Sequence, residues 1–482
     1  MFPLALAPFN WYGFVFLSAG LFFYILQKQP IKYGAVLGFF YGLGKYGLGV
    51  SWIYVSISNF SELPWFFSAF ITFGFIALLS LYETSLALLY LWLSKNKSSL
   101  IQCFLFAALA TLMEALRSWL FTGFPWLLAG HSQLLTPLSK IAPLFGGLGV
   151  SFFCYLTACF ITNAFMLTQK KITHNYLYSF FVLIPFLLCE LLVPSQWLTP
   201  LNKPLKVSLL QGNVSHSTKW NNEQLDKTLT TYHQLTEQRL SDDLIVWPET
   251  ALPMPSLYAI NIFSDLRKNA LEHHSAIVLG APGMNNDGTL SNSVFLLGKN
   301  VGRYDKQHLV PFGEYMPIAF FHPIYRWFNV PFANLTQGEH KADLFKVNNL
   351  TLTPFVCFEI AFNTRAYLNR IGKSNLILTL TDDSWFGHSF AKAQHLQIAQ
   401  MRSLETGRAQ LFASNDGLTA FINNQGKLTH IIPMARQGYL HGKIQGYQGN
   451  TPFLILGNAP IIIFLLLLIL ILSLISHRPR NG

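Results

Sequence analysis

The stretch Phe355-Val356-Cys357-Phe358-Glu359 ends an apolar run typical of a buried β-strand, and it holds the only cysteine in the polar middle of the chain. A second such run, Ile245-Val246-Trp247-Pro248-Glu249, ends on a glutamate, and Lys306 opens a loop between the two. Side chains at strand ends can face a shared cleft. Because a base, an oxyanion-binding lysine and a nucleophile form a complete set for covalent catalysis, we predict that Glu249, Lys306 and Cys357 are catalytic.

Each of these residues also has an ordinary structural interpretation, since unpaired cysteines are commonly inert and charged side chains in loops usually face solvent. The combination favours catalysis because the three roles are complementary. Glu249 takes the proton of the thiol and returns it to the leaving group, and a cation nearby favours the Cys357 thiolate. Lys306, with a backbone N–H near the cysteine, stabilises an oxyanion. We predict that Glu314 and Glu359 keep Lys306 charged and oriented.

The composition indicates a membrane protein. Of the 482 residues, 51% are hydrophobic, only 11% are charged and 43 are phenylalanines. A soluble protein has difficulty burying that much apolar surface. The formal net charge of +11 is explained by basic residues flanking membrane helices. No basic run with interleaved aromatic residues indicates a nucleic-acid partner.

Seven apolar stretches have about the 20 residues that cross a bilayer, and we predict spans near 11–27, 33–53, 65–93, 99–121, 141–168, 176–194 and 453–475. Basic residues follow alternate spans, at Lys28, Lys32, Lys95, Lys97, Lys170, Lys171, Arg478 and Arg480. The connections 54–64 and 122–140 contain one basic residue between them, Lys140. By the positive-inside rule the basic loops are cytoplasmic, which predicts that residues 195–452 lie on the external face.

The fold class follows from this division. We predict an α-helical transmembrane bundle at 1–194, an external α/β domain at 195–452, and a transmembrane helix with a short cytoplasmic tail at 453–482. Strands are expected at 206–210, 244–247, 276–279, 352–358, 376–380, 411–414 and 419–422. Amphipathic helices are expected at 221–240, 260–273, 361–371 and 391–406.

Residues 317–335 form a predicted loop that is rich in aromatic side chains, among them Trp327. Two interpretations stay open. These side chains pack on the domain core, or they form a lid that dips into the bilayer interface and meets a lipid there, since aromatic rings are favoured at that depth.

Several short motifs carry a family resemblance. In the apolar part they are Leu6-Ala7-Pro8-Phe9, Ser51-Trp52-Ile53-Tyr54-Val55-Ser56, Thr122-Gly123-Phe124-Pro125-Trp126 and Gly130-His131-Ser132-Gln133. In the polar part they are Gln211-Gly212-Asn213, Trp247-Pro248-Glu249, Ser291-Asn292-Ser293, the run from Lys306 to Glu314, Cys357-Phe358-Glu359, Asp383-Ser384-Trp385-Phe386-Gly387, Gln394-His395 and Ser414-Asn415-Asp416-Gly417. The polar segment resembles the nitrilase (carbon-nitrogen hydrolase) superfamily. The whole chain is similar to its membrane-embedded members, the apolipoprotein N-acyltransferases.

The resemblance implies a nitrilase-like αββα sandwich with a Glu-Lys-Cys triad, and supporting positions at Asn292, Phe358 and Trp385. It also implies a ping-pong reaction in the inner membrane of a bacterium, with the catalytic domain on the periplasmic face. An acyl chain passes from a phospholipid to the cysteine as a thioester, and then to the amine of the diacylglyceryl-cysteine that begins an apolipoprotein. The implied enzyme uses no cofactor and no metal ion, and no metal-ligand spacing joins His308 and His395, which we expect to be structural.

The chain departs from the family pattern in a few places. Phe358 stands where the family usually has tyrosine, Asp382 where it often has asparagine, and His131 where tyrosine is common. Family members usually carry one more helix before the motif at residues 6–9. Either this chain has seven spans with an external amino terminus, or the sequence starts at an internal residue.

The ionisable residues of the apolar part need partners, because charges are costly to bury in a membrane. Glu114 and Arg117 are three residues apart on one predicted helix and form a pair in one interpretation. In the other, Arg117, beside Trp126 at the external end, meets a phospholipid headgroup or the lipoprotein substrate.

Two other functions stay open. A membrane-anchored nitrilase-type amidase that hydrolyses a small C–N compound fits the same triad, but it needs one anchor rather than several spans. A non-enzymatic bundle that displays a degenerate nitrilase fold to a partner is disfavoured, because all three triad positions are filled.

Overall fold

The computed structural model describes residues 1–27, 29–60, 63–169, 175–191, 197–315, 334–339 and 344–475. The chain forms two compact units. The first comprises Met1–Tyr54, Trp65–Ser195 and Leu456–Gly482, and the second comprises Val55–Pro64 and Gln196–Ile455.

The first unit is helical and apolar. Its helices are α1 (Gly13–Gln27), α2 (Gly34–Gly49), the start of α3 (Trp52–Phe60), α4 (Trp65–Leu93), α5 (Ser99–Arg117), α6 (Ala142–Gln169) and α7 (Asn175–Leu191), together with a C-terminal helix, Ala459–Leu474. Within the described residues, three helical segments are long and apolar enough to cross a membrane, namely Trp65–Leu93, Ser99–Arg117 and Pro137–Met166. The helix at the predicted span near 33–53 is shorter than expected, because α2 ends at Gly49 and a new helix begins at Trp52.

The pairing of Glu114 with Arg117 is also wrong. Both residues are in the described part of the chain, and no ion pair joins them there. Glu114 Oε1 accepts a hydrogen bond from the Tyr155 hydroxyl at 2.7 Å. Arg117 Nη1 donates to the backbone carbonyl of Phe124 at 2.7 Å and to that of Trp126. Backbone carbonyls of the loop after α5 therefore take the place of the predicted carboxylate.

The second unit contains two six-stranded sheets. The first has the order β13-β2-β3-β4-β5-β6, with strands Gly438–Ile444, Leu205–Gln211, Leu244–Val246, Ile277–Met284, Leu290–Leu297 and Gly302–Asp305. The second has the order β12-β11-β10-β9-β8-β7, with strands Leu428–Ile432, Thr419–Ile422, Ala409–Ser414, Leu376–Thr381, Leu350–Val356 and Phe345–Val347. Two short strands, β1 (Thr199–Pro200) and β14 (Tyr447–Gln448), pair separately.

Three central strands of each sheet are parallel: β2, β3 and β4 in the first sheet, and β8, β9 and β10 in the second. The carboxyl ends of parallel strands lie at one edge of a sheet, where polar side chains on the following loops converge. Glu249 lies just beyond β3, and Cys357 directly follows β8. The topology therefore places Glu249 and Cys357 beyond the carboxyl ends of parallel strands, one in each sheet.

Helices cover the outer faces of both sheets. Apolar side chains from the inner faces form one shared core, including Leu209, Val246, Val278, Leu352, Leu378 and Leu411. After the short helix α8 (His216–Lys219), Tyr232 of α9 (Asn222–Glu237) stacks on Trp247, and Leu266 of α10 (Ile260–Glu272) packs on the same face. On the second sheet, Tyr367 of α11 (Arg365–Gly372) packs on Phe355, and α12 (Ala391–Thr406) lies beside β10. This arrangement confirms the predicted αββα sandwich.

Candidate active site

Cys357 begins a tight turn rather than ending a strand. Strand β8 ends at Val356, and residues Cys357–Ala361 form a 3₁₀ helix. The prediction that the strand continues to residue 358 is therefore wrong. The backbone of Cys357 has a φ of +52°, the left-handed region, which costs a residue other than glycine about 1–3 kcal/mol. Such strain persists only where the surroundings fix the conformation, so the contacts of this turn are informative.

Glu249 is buried, and both of its carboxylate oxygens accept hydrogen bonds. Asn292 Nδ2 donates to Oε1, and the backbone N–H of Asp382 donates to Oε2, each at 2.7 Å. Burial raises the pKa of the Glu249 carboxyl, and the nearby Lys306 ammonium opposes part of that rise. A glutamate held in place with a raised pKa is suited to general-base catalysis near neutral pH.

Lys306 follows β6 and is 1% exposed. Its ammonium donates to Glu314 Oε1 at 2.9 Å, and the same oxygen accepts from Asn292 Nδ2 at 3.0 Å. Burial lowers the pKa of Lys306, but the carboxylates of Glu314 and Glu249 outweigh burial and raise it. The lysine is therefore a fixed cation, and Asn292 bridges the two carboxylates that hold it.

The Cys357 thiol lies within the electrostatic reach of both groups. Burial raises the pKa of the thiol well above its ordinary value, Glu249 adds to the rise, and Lys306 lowers it. Burial outweighs the cation, contrary to the expectation that the lysine favours the free thiolate. The thiol is therefore protonated at rest, and a base is needed at the moment of attack. Glu249 is the carboxylate in a position to act as that base.

Glu359 holds the backbone after Lys306 rather than its ammonium. In the part of the chain that the structure describes, no hydrogen bond or ion pair joins Glu359 to the lysine side chain. The buried carboxylate instead accepts from the N–H groups of Gln307, His308 and Val356 and from the hydroxyls of Tyr304 and Tyr367. The predicted contact of Glu359 with Lys306 is therefore wrong. Glu359 instead links the Cys357 turn to the loop that starts at residue 306.

Lys219 is a second buried lysine, which no sequence pattern indicated. Lys219, at the end of a short helix, donates to Asp382 Oδ2 at 2.5 Å and to the backbone carbonyl of Glu249 at 3.3 Å. The backbone N–H of Asp382 in turn donates a hydrogen bond to the Glu249 carboxylate. The position of Asp382 directly after β9 was a usable signal, because Glu249 and Cys357 also follow strands. Lys219 offered none, since 163 residues separate it from Asp382.

The remaining predicted residues lie in different places. The Phe358 ring packs edge-on against Phe362, and the backbone carbonyl of Trp385 accepts from the Ser56 hydroxyl at 2.8 Å. Arg117 and Trp126 are buried in the helical unit. Trp327 and residues 316–333 lie outside the described residues.

Known proteins match the chain over nearly its whole length. A family model described as the apolipoprotein N-acyltransferase N-terminal domain matches residues 1–160, and one described as carbon-nitrogen hydrolase matches residues 206–448. The apolipoprotein N-acyltransferase of Pseudomonas syringae pv. tomato is 35% identical over 471 residues, covering 96% of this chain and 93% of that protein. The protein of that name from Coxiella burnetii is 36% identical over 475 residues, covering 96% and 97%. The chain belongs to the apolipoprotein N-acyltransferase family.

Membership of the apolipoprotein N-acyltransferase family confirms the resemblance drawn from the short motifs. The carbon-nitrogen hydrolase match covers the strands of both six-stranded sheets and all three residues of the predicted triad. The amino-terminal match covers α1 to α5 and most of α6. Together with its three long apolar helices, this membership makes the chain a membrane protein.

Proposed function

We propose that this protein is an N-acyltransferase that moves a fatty acyl chain from a phospholipid, through a thioester on Cys357, to the α-amino group of the diacylglyceryl-cysteine that begins an apolipoprotein. The observation that carries the proposal is one hydrogen-bonded network within electrostatic reach of the thiol. Asn292 donates to both Glu249 and Glu314, and Lys306 donates to Glu314. Membership of the family and the apolar helices support the lipid donor.

In the first half-reaction the Cys357 sulfur attacks the carbonyl carbon of a phospholipid ester while Glu249 accepts the thiol proton. The carbonyl oxygen becomes an oxyanion, which the Lys306 ammonium stabilises. The C–O bond of the ester then breaks. Glu249 returns its proton to the departing alkoxide, so that the lysophospholipid leaves and the acyl chain stays on sulfur.

In the second half-reaction the α-amine of the acceptor attacks the thioester carbonyl. Glu249 accepts the proton that the amine loses, and Lys306 again meets the oxyanion. The C–S bond breaks, an amide forms, and the proton passes from Glu249 to the sulfur of Cys357. The free enzyme is regenerated with no cofactor.

The proposed placement is the bacterial inner membrane, with the catalytic domain (195–452) on the periplasmic face. In the sequence a helical bundle (1–194) precedes this domain and a final helix (453–482) follows it. The alternation of basic connections along the sequence supports this orientation. Both substrates carry acyl chains whose exposure to water costs about 0.8 kcal/mol per CH₂, so the site must work at the bilayer surface.

The test is a transfer assay with the full-length protein in phospholipid vesicles and a peptide that begins with diacylglyceryl-cysteine. The expected products are lysophospholipid and a peptide heavier by one acyl group on its amine, in equal amounts. Cys357→Ala should give neither product. Cys154→Ala, which removes a buried thiol of the helical unit, is the matched control and should keep the activity.

Two outcomes would contradict the proposal. Hydrolysis of small amides or nitriles without any acyl transfer to the peptide would establish the amidase alternative. Acyl transfer that persists in Cys357→Ala would remove the thioester from the mechanism.

A further inference from the structure

A buried histidine holds the backbone of the predicted nucleophile. His395 lies on α12, is completely buried, and places Nε2 3.2 Å from the backbone carbonyl oxygen of Cys357. A carbonyl oxygen only accepts hydrogen bonds, so Nε2 must carry a proton. This contact acts on the same residue whose backbone is in the left-handed region.

The other ring nitrogen faces a buried carboxylate. His395 Nδ1 is 3.0 Å from Asp383 Oδ1, and both side chains are 0% exposed. The same oxygen accepts from the Thr381 hydroxyl at 2.9 Å, and Oδ2 accepts from the Ser414 hydroxyl at 3.1 Å. The Ser414 oxygen also accepts from the N–H of Gly417 at 3.0 Å.

These contacts decide the charge of the pair. Both oxygens of Asp383 accept from hydroxyl groups, as those of an ionised carboxylate do. An ionised Asp383 can only accept, so Nδ1 of His395 must donate to it. Since Nε2 also donates, to Cys357, the ring carries two protons. The imidazole ring also makes T-shaped contacts with Phe386 and Phe412, with centroid separations of 6.2 and 5.3 Å.

The same helix reinforces the turn at a second point. Arg402, seven residues after His395, donates to the carbonyl oxygens of Ile360 and Ala361, each at 3.3 Å. Three carbonyls of the 3₁₀ helix that starts at Cys357 are therefore held by cationic side chains of α12. Such a set of contacts is what a strained backbone conformation needs in order to persist.

We propose that His395, held as an imidazolium by Asp383, is a positioning residue that fixes the left-handed turn of Cys357 and cancels the field of the buried aspartate at the sulfur. The inference rests on the proposed function of Cys357 as the nucleophile. The negative charge of Asp383 disfavours the thiolate, and a neutral partner at residue 395 leaves that charge uncompensated.

The test measures the reactivity of the thiol without any lipid substrate. Full-length protein in detergent is treated with iodoacetamide across a range of pH, and alkylation of Cys357 is followed by mass spectrometry. His395→Gln should move the alkylation profile to higher pH by roughly one to three units, because a nearby unpaired carboxylate disfavours the thiolate. Removing both charges in Asp383→Asn/His395→Gln should return the alkylation profile towards the wild-type pH. The exposed His430→Gln is the matched control and should change nothing.

Other results would overturn the proposal. A merely structural histidine predicts faster alkylation in His395→Gln, since the turn opens, and no recovery in the double variant. If the single variant does not fold, ¹⁵N-histidine NMR of the wild-type protein decides the matter, because His395 with one unprotonated ring nitrogen contradicts the inference. A wild-type alkylation profile as predicted but no acyl transfer would refute the proposed function alone.

Discussion

At the scale of single residues, the chemistry of the site depends on which groups burial leaves protonated. The Cys357 thiol is neutral at rest, while the Lys306 ammonium stays charged because two carboxylates compensate its burial. At rest the site therefore holds a protonated thiol that needs a base before it attacks, rather than a preformed thiolate. The sequence predicted strands before Glu249 and Cys357 and a loop at Lys306, and in the structure all three residues lie just after strands. Their protonation states were not predictable, because burial and neighbours decide them.

Replacement of the base tests this account. Glu249→Gln should slow acylation of Cys357 by roughly 10²–10⁴-fold, the usual contribution of a general base. In the wild-type protein the rate should rise with pH through the carboxyl pKa, which lies above the ordinary glutamate value, because only the ionised form accepts a proton. The exposed Glu272→Gln serves as control, and an unchanged pH profile in Glu249→Gln would assign the rise to another group.

The buried pair of Lys219 and Asp382 gives a second prediction at this scale. Lys219→Met leaves Asp382 as an uncompensated buried charge and should lower the free energy of unfolding by about 3–5 kcal/mol. Asp382→Asn in the same chain should restore most of that loss, which chemical denaturation can measure. Equal losses in the single and double variants would show that the charge is not what matters. The sequence had marked Asp382 as a departure from the family, and its partner Lys219 accounts for the carboxylate.

At the scale of elements, the turn after β8 is held by the Glu359 carboxylate, on which three backbone N–H groups and two tyrosine hydroxyls converge. Glu359→Gln should lower the free energy of unfolding by at least about 2 kcal/mol, because an amide accepts fewer hydrogen bonds and leaves buried donors unpaired. Thermal unfolding measures the change. A variant as stable as the wild type would show that the clamp is dispensable.

Apolar runs predicted the central strands well, since β2, β8, β9 and β10 are buried on both faces. The edge strands β12 and β13 were not predicted because they lack apolar runs. Strand β12 is almost wholly exposed, and β13 alternates between half-buried and exposed residues, so neither has an apolar run. Their pairing is set by neighbouring strands, which single-sequence patterns do not contain.

At the scale of the whole molecule, the helical unit presents large apolar side chains on its surface, such as Phe40, Phe70 and Trp92, as a lipid-facing bundle requires. Hydropathy predicted these helices because the bilayer fixes their length. It did not predict where the helix near 33–53 ends, because the chain breaks after α2 within an apolar stretch.

The predicted orientation can be tested with single cysteines. Lys299→Cys, in an exposed loop of the catalytic unit, should react in intact cells with a membrane-impermeant maleimide. Lys95→Cys, in the exposed connection after α4, should react only after lysis. Labelling without either new cysteine gives the background. The reverse pattern would contradict the assignment of the basic loops to the cytoplasm.

The most direct test of the central claim is the mass of the intact protein after incubation with phospholipid vesicles and no acceptor. We expect a gain of one fatty acyl group that hydroxylamine removes and that is absent in Cys357→Ala. A folded wild-type protein that gains no acyl mass, or a gain that survives in Cys357→Ala, would contradict an acyl-enzyme on this cysteine.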